Sequence, residues 1–154
     1  MRFGIVGKKE NKEVFRITKE LCLWLEDKKV DFFVEKKLAE NIGIKQFADK
    51  KNIAGLIDIL IVLGGDGTFL GASRLVHGHD VAILGVNLGG LGFLTEFTVD
   101  ELYLILEKIL NGDYKTEKRE LLRSKLVRDN KVVGVYSVLN DLVINNGPVS
   151  RVVD

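Results

Sequence analysis

Apolar residues in this chain recur in two rhythms, and the rhythms alternate. Phe3 to Val6 is an unbroken apolar run closed by Gly7, which predicts a buried strand. From Lys9 to Lys28 the step changes. Val14, Ile17, Leu21 and Leu25 recur three or four apart with charges between them, predicting an amphipathic helix with Cys22 and Trp24 near its stripe. Val30 to Val34 predicts a second strand. Leu38 to Leu56 is mixed and predicts a short helix with loops. Ile57 to Leu63 predicts a strong strand in which Asp58 is the only polar residue. A helix is expected over Thr68 to His77, a strand over Val81 to Asn87, and a glycine-rich loop over "LGGLGFLTEF". Val99 to Leu110 predicts a helix with Leu102, Ile105, Leu106 and Ile109 on one face. Thr98 stands where an N-cap would, and Asn111-Gly112 where the helix would stop.

Strands with few charges that alternate with helices imply an α/β fold, a Rossmann-like parallel sheet with helices on both faces. Ligands of such sheets sit beyond the carboxyl ends of the strands. Both glycine-rich loops, after Leu63 and after Asn87, belong at that edge. Beyond Gly112 the helical rhythm disappears, and the pattern predicts a strand, a turn at Asp129-Asn130, a strand and a turn around Asn146-Gly147-Pro148. The expected organisation is an α/β domain over residues 1–112, then the start of a β-rich, sandwich-like domain over 113–154.

Composition narrows the picture. With 23 basic and 22 acidic residues the net charge is +1, which makes no case for nucleic acid or an anionic membrane as partner. Cys22 is the one cysteine, so no internal disulfide forms, which suits a reducing cytosol. The N-terminal apolar stretch is too short for a signal peptide, and no apolar run approaches a membrane-spanning length. The expectation is a cytoplasmic protein.

Candidate chemistry centres on "IVLGGDGTF", Ile61 to Phe69. A parallel strand that ends in glycines and leads into a helix suits a phosphate, because backbone N–H groups become accessible and the helix N-terminus is positive. That accounts for Gly64, Gly65, Gly67 and Thr68 but not for Asp66, since a carboxylate beside a phosphate is repelled. Asp66 fits a group that accepts a proton from an attacking hydroxyl, or one that helps hold Mg²⁺. The bland alternative is a tight turn in which Asp66 caps the helix. A cap needs no three glycines, and Thr68 can supply it. The loop lacks the Gly-Lys-Ser/Thr end of the common nucleotide hydrolases, and its glycines do not fit G-x-G-x-x-G.

Gly64-Gly65-Asp66-Gly67-Thr68 resembles the GGDGT motif of a kinase superfamily that includes NAD kinases, diacylglycerol and sphingosine kinases and, more distantly, 6-phosphofructokinases. "GVNLGGLGFLTE", Gly85 to Glu96, resembles the second NAD-kinase motif, and the Gly-Thr-x-Asn-Asp loop of the lipid kinases is absent. "LNDLVI", Leu139 to Ile144, resembles the Asn-Glu motif of NAD kinases, with Asp141 in place of Glu. The resemblance runs in order over nearly the whole chain. It implies an enzyme that moves a phosphoryl group from ATP or polyphosphate to the 2′-hydroxyl of the adenosine ribose of NAD, with Mg²⁺ as divalent cation. Asp66 would be the general base. Gly67 and its neighbours would lie along the phosphates, with Phe69 and Leu70 near the nucleotide and Asn87 shaping the pocket floor. Asn140 and Asp141 would bind the nicotinamide side, and Arg151 would lie near the nucleotide. The shorter reach of Asp141 implies a closer backbone or a weaker contact. The family forms dimers or tetramers, and its site lies between two domains. The chain is therefore expected to be an N-terminal fragment with little activity alone. The rival expectations are a lipid or sugar kinase sharing the motif, and a nucleotide-binding module without catalysis.

The remaining candidates carry simpler expectations. His77 and His79 flank Gly78 at an exposed helix end. Cys22 is a core thiol and Trp24 packs. Lys8-Lys9 and Lys36-Lys37 are solvated loop charges. Arg119 or Arg123 could meet a phosphate, with a solvated or ion-paired arginine the favoured expectation.

Overall fold

The computed structural model describes residues 1–8, 10–90, 92–139 and 142. Two compact units divide the chain, Met1–Thr116 and Glu117–Asp154. In the first, the elements run β1 (Arg2–Gly7), α1 (Lys12–Asp27), β2 (Asp31–Glu35), α2 (Lys36–Ile42), β3 (Phe47–Ala48), a 3₁₀ turn (Ile53–Gly55), β4 (Ile59–Leu63), α3 (Asp66–Val76), β5 (Ala82–Asn87), β6 (Phe97–Thr98) and α4 (Leu102–Leu110). The six strands form one parallel sheet in the order β3-β2-β1-β4-β5-β6. That is the order of the doubly wound dinucleotide-binding sheet, and its winding reverses between β1 and β4.

β4 shows why the apolar runs are continuous. Ile59, Ile61 and Leu63 point into one core with Leu21 and Leu25 of α1, Leu38 of α2 and Leu102 and Leu106 of α4. Leu60 and Val62 point into the other, with Ile53, Ala72 and Val76. A strand covered on both faces has no polar side to show. Helices on both faces of a Rossmann-like parallel sheet are thus the fold found. Leu21 is fully buried, so Leu21→Ala is expected to destabilise the unit by about 3 kcal/mol, as urea unfolding would show.

Several boundaries differ from the sequence reading. α1 begins at Lys12, because the Asn11 side chain accepts the Glu13 N–H at 2.9 Å and caps it. Asp58 stands outside β4 and accepts the Arg2 N–H at 2.7 Å. Lys36 is no loop charge. It opens α2, which Glu35 caps by accepting the Leu38 N–H, and it pairs with Asp49 at 3.6 Å. Thr98 does not cap α4 by accepting from it. Its N–H and hydroxyl both donate to the Glu101 carboxylate, at 2.9 and 2.8 Å, and the helix starts at Leu102. The stop at Asn111-Gly112 is as expected, with Gly112 at φ +76°. Cys22 is buried, and burial, aided by Glu26, pushes its thiol up to about 12.

In the second unit, β7 (Leu122–Arg128) and β8 (Lys131–Val138) form an antiparallel hairpin. Asp129 and Asn130 both take positive φ, 49° and 59°, as the two-residue turn that matches strand twist requires. Arg119 pairs with Glu117 at 2.9 Å. The turn expected at Asn146-Gly147-Pro148 lies outside the described residues.

Candidate functional site

β4 runs into α3 through Gly64 and Gly65 at the carboxyl edge of the sheet. The helix starts at Asp66, two residues before the start expected at Thr68. Gly65 is its N-cap, with no side-chain cap bond, so Thr68 does not cap it. A Cβ on Gly64 would lie 2.5 Å from the Thr68 hydroxyl oxygen, so glycine is what lets the strand turn this tightly. Phe69 packs on Gly85 of β5, where a Cβ would come within 2.8 Å of its ring.

The second glycine-rich loop leaves β5 at Asn87 and returns to the same edge as β6, which pairs with the end of β5. It arches over the carboxyl edge. Asn87 pins its start: its Nδ2 donates to the Gly90 carbonyl at 2.7 Å and to the Thr95 hydroxyl at 2.9 Å, and its Oδ1 accepts the Gly89 N–H at 3.0 Å.

The two loops meet at Asp66. Its Oδ2 accepts the Phe93 N–H at 2.9 Å. Its Oδ1 accepts the Leu94 N–H at 3.0 Å, the Thr95 N–H at 3.2 Å and the Thr95 hydroxyl at 3.2 Å. The carboxylate therefore satisfies backbone donors, but those of a loop 27 to 29 residues away and not those of its own helix. Backbone N–H donors, those of Phe93 and Leu94 foremost, hold the carboxyl below its ordinary 3.8. A depressed folded-state value means that this carboxylate stabilises the fold above its unfolded value near 3.8, and that the contribution is lost as pH falls through the lower folded value. An NMR titration of the Asp66 carboxyl is expected to give a midpoint below 3.8; one at or above it would contradict these bonds.

Where the winding reverses, a cleft of about 360 Å³ opens between the end of β1 and α3. Gly7, Lys8, Lys50, Gly67, Thr68 and Gly71 are among the residues that line it. Its size suits a small molecule. Lys8 is an exposed loop residue, as expected, and lines this cleft, while Lys9 lies outside the described residues.

The structure brings together Gly64, Gly65, Asp66, Gly67, Thr68, Phe69 and Asn87 around one edge. Asn140, Asp141 and Arg151 lie outside the described residues. His77 and His79 are exposed, as expected. The sequence reading missed Thr95, the fully buried link between Asn87 and Asp66, for which no local pattern exists. Lys50 was missed too, since only the folding of the β3–β4 connection brings it to the cleft. No group of three His, Cys, Asp or Glu side chains able to hold a metal occurs among the described residues.

Comparison with known proteins agrees with the motifs. The family model for the ATP-NAD kinase N-terminal domain matches residues 3–114. An NAD kinase of Syntrophotalea carbinolica is 45% identical over 154 residues, covering 99% of this chain and 54% of its own length. A bifunctional NADP phosphatase/NAD kinase of Methanocaldococcus jannaschii is 42% identical over 144 residues, 94% of this chain and 24% of that protein. The crystal structure of yeast NADH kinase complexed with NADH aligns with a TM-score of 0.75 over 91% of this chain and 47% of that one. Its 22% identity makes this a likeness of fold alone. The chain spans about half the length of the curated relatives it matches.

Proposed function

This chain belongs to the NAD kinase family, and from that premise we propose that the protein phosphorylates the 2′-hydroxyl of the adenosine ribose of NAD, giving NADP, with ATP or polyphosphate as donor. The observation that carries the reading is the Asp66 carboxylate, fixed where both glycine loops meet at the carboxyl edge of the sheet. In this reading the ribose oxygen attacks the terminal phosphorus of the donor, the bond from that phosphorus to the leaving phosphate breaks, and Asp66 receives the hydroxyl proton. Positioning and charge neutralisation supply most of the rate in such transfers.

The donor occupies the cleft beside Gly67, Thr68 and Gly71, where the ammonium groups of Lys8 and Lys50 offset phosphate charge. A divalent cation such as Mg²⁺, when bound with the donor, would supply further charge neutralisation at its phosphates. Phe69 and Leu70 flank the nucleotide, and Asn87 keeps the second loop in place. Asn140 and Asp141 bind the nicotinamide side, and Arg151 lies near the nucleotide. The working form is a homo-oligomer in the cytoplasm. No helix among the described residues is long and apolar enough to cross a membrane.

The test is product identity. The full-length protein, given ATP, Mg²⁺ and NAD, is expected to form NADP, read by an NADP-specific dehydrogenase. Phosphorylation of a diacylglycerol, sphingosine or a sugar phosphate in place of NAD would overturn the reading, as would nucleotide binding without turnover.

A further inference from the structure

We propose that Thr95 is a positioning residue for Asp66: its hydroxyl, directed by Asn87, fixes the carboxylate so that Oδ2 is the oxygen that receives the proton. This rests on the reading of Asp66 as the proton acceptor and adds to it the residue that aims the acceptor.

The hydrogen-bond directions follow from the partners. The Asn87 amide has one consistent orientation, because Oδ1 faces the Gly89 N–H and Nδ2 faces the Gly90 carbonyl. Nδ2 is therefore the donor toward Thr95, at 2.9 Å. A hydroxyl that accepts from one side has a single proton to give, and the Asp66 Oδ1 stands 3.2 Å away to take it. Thr95 is fully buried and Asn87 is 7% exposed, so solvent does not compete for these groups.

The result is an asymmetric carboxylate. Oδ1 takes three donors, the Leu94 N–H, the Thr95 N–H and the Thr95 hydroxyl. Oδ2 takes one, the Phe93 N–H. Each carboxylate oxygen offers about two lone-pair sites, so Oδ1 is saturated and Oδ2 keeps a site open for the attacking hydroxyl. Rotating the carboxylate out of this plane would break the Thr95 bonds to the oxygen at the Oδ1 place and re-aim the open site on the other oxygen.

The experiment separates the hydroxyl from the methyl in the full-length protein. Thr95→Val removes the hydroxyl and keeps the shape. Thr95→Ser does the reverse. Thr95→Val is expected to lower kcat by about tenfold or more, the scale of a small misplacement of a reacting group, with KM for NAD changed by less than about threefold. The acid limb of its kcat/KM profile should move to higher pH, because a bond that favours the ionised carboxylate is gone. Thr95→Ser should keep wild-type kcat and pH profile. If the valine variant does not fold, Thr95→Ala against Thr95→Ser isolates the hydroxyl without added bulk. A valine variant with wild-type kcat would overturn the proposal, and so would a serine variant as poor as the valine one, which would assign the effect to the methyl beside Gly85. Asp66→Asn in the same assay keeps the two readings apart. Turnover surviving that change sinks Asp66 as acceptor, whereas an inactive Asp66→Asn beside an unimpaired Thr95→Val sinks only the role of Thr95.

Discussion

Asp66→Asn in the full-length protein is expected to lower turnover of NAD with ATP by about a hundredfold to ten-thousandfold, the usual worth of a positioned proton acceptor, while NAD binding stays within a few-fold. The amide matches the carboxylate in size. With its oxygen in the Oδ1 place it still accepts from Leu94 and Thr95, so most of the junction between the loops persists. What changes is the Oδ2 place, where an NH₂ faces the Phe93 N–H and no longer receives a proton. Isothermal titration with NAD, beside steady-state kinetics, checks both halves. Equal losses in binding and turnover would mean that Asp66 chiefly holds the second loop. Unchanged turnover would mean that it is not the acceptor.

The second large effect is expected at Gly92. A Cβ built there collides with the Asp66 carboxylate, lies 2.9 Å from its Cγ and 2.6 Å from the Thr95 hydroxyl oxygen. None of these groups gives way freely, because each is tied by the bonds that join the loops. Gly92→Ala must displace either the carboxylate or the loop, and either separates Asp66 from its donors. Turnover is expected to fall by about a hundredfold. The melting temperature should drop only a few degrees, because Gly92 belongs to neither core cluster. A melting temperature that collapses together with activity would make the glycine a requirement of folding rather than of the site.

The fold was legible wherever burial imposed a rhythm. "ILIVL" of β4 is apolar throughout because both its faces are covered, and that alone separates a parallel α/β sheet from an open antiparallel one. Asn111-Gly112 and Asp129-Asn130 were legible because positive φ selects their residue types. α2 was blurred because a seven-residue helix has too few turns to show a period, and its cap is Glu35, an uncommon capping type. The start of α3 was misplaced because the strand-to-helix turn is made by Gly65 with no capping side chain. Thr98 carried a true signal in the wrong sense. The Thr-x-x-Glu spacing is there, yet Glu101 does the accepting.

The site was legible as residue types and not as a network. Three glycines around one carboxylate singled out Asp66 as the candidate. Its actual partners, the N–H groups of Phe93, Leu94 and Thr95, sit 27 to 29 residues on, a separation at which no periodicity operates. The arch of the second loop from β5 to β6 brings them there, and that follows from strand pairing. The same holds for Thr95, whose role depends on Asn87 eight residues before it across the arch.

The most direct test of the account is a structure of the full-length protein with NAD bound, and the distance from Asp66 to the 2′-oxygen of the adenosine ribose. That oxygen is expected within about 3.2 Å of Oδ2, in hydrogen-bond reach of the one carboxylate site left open. An adenosine ribose bound out of reach of Asp66, with the carboxylate still closed on the second loop, would contradict it.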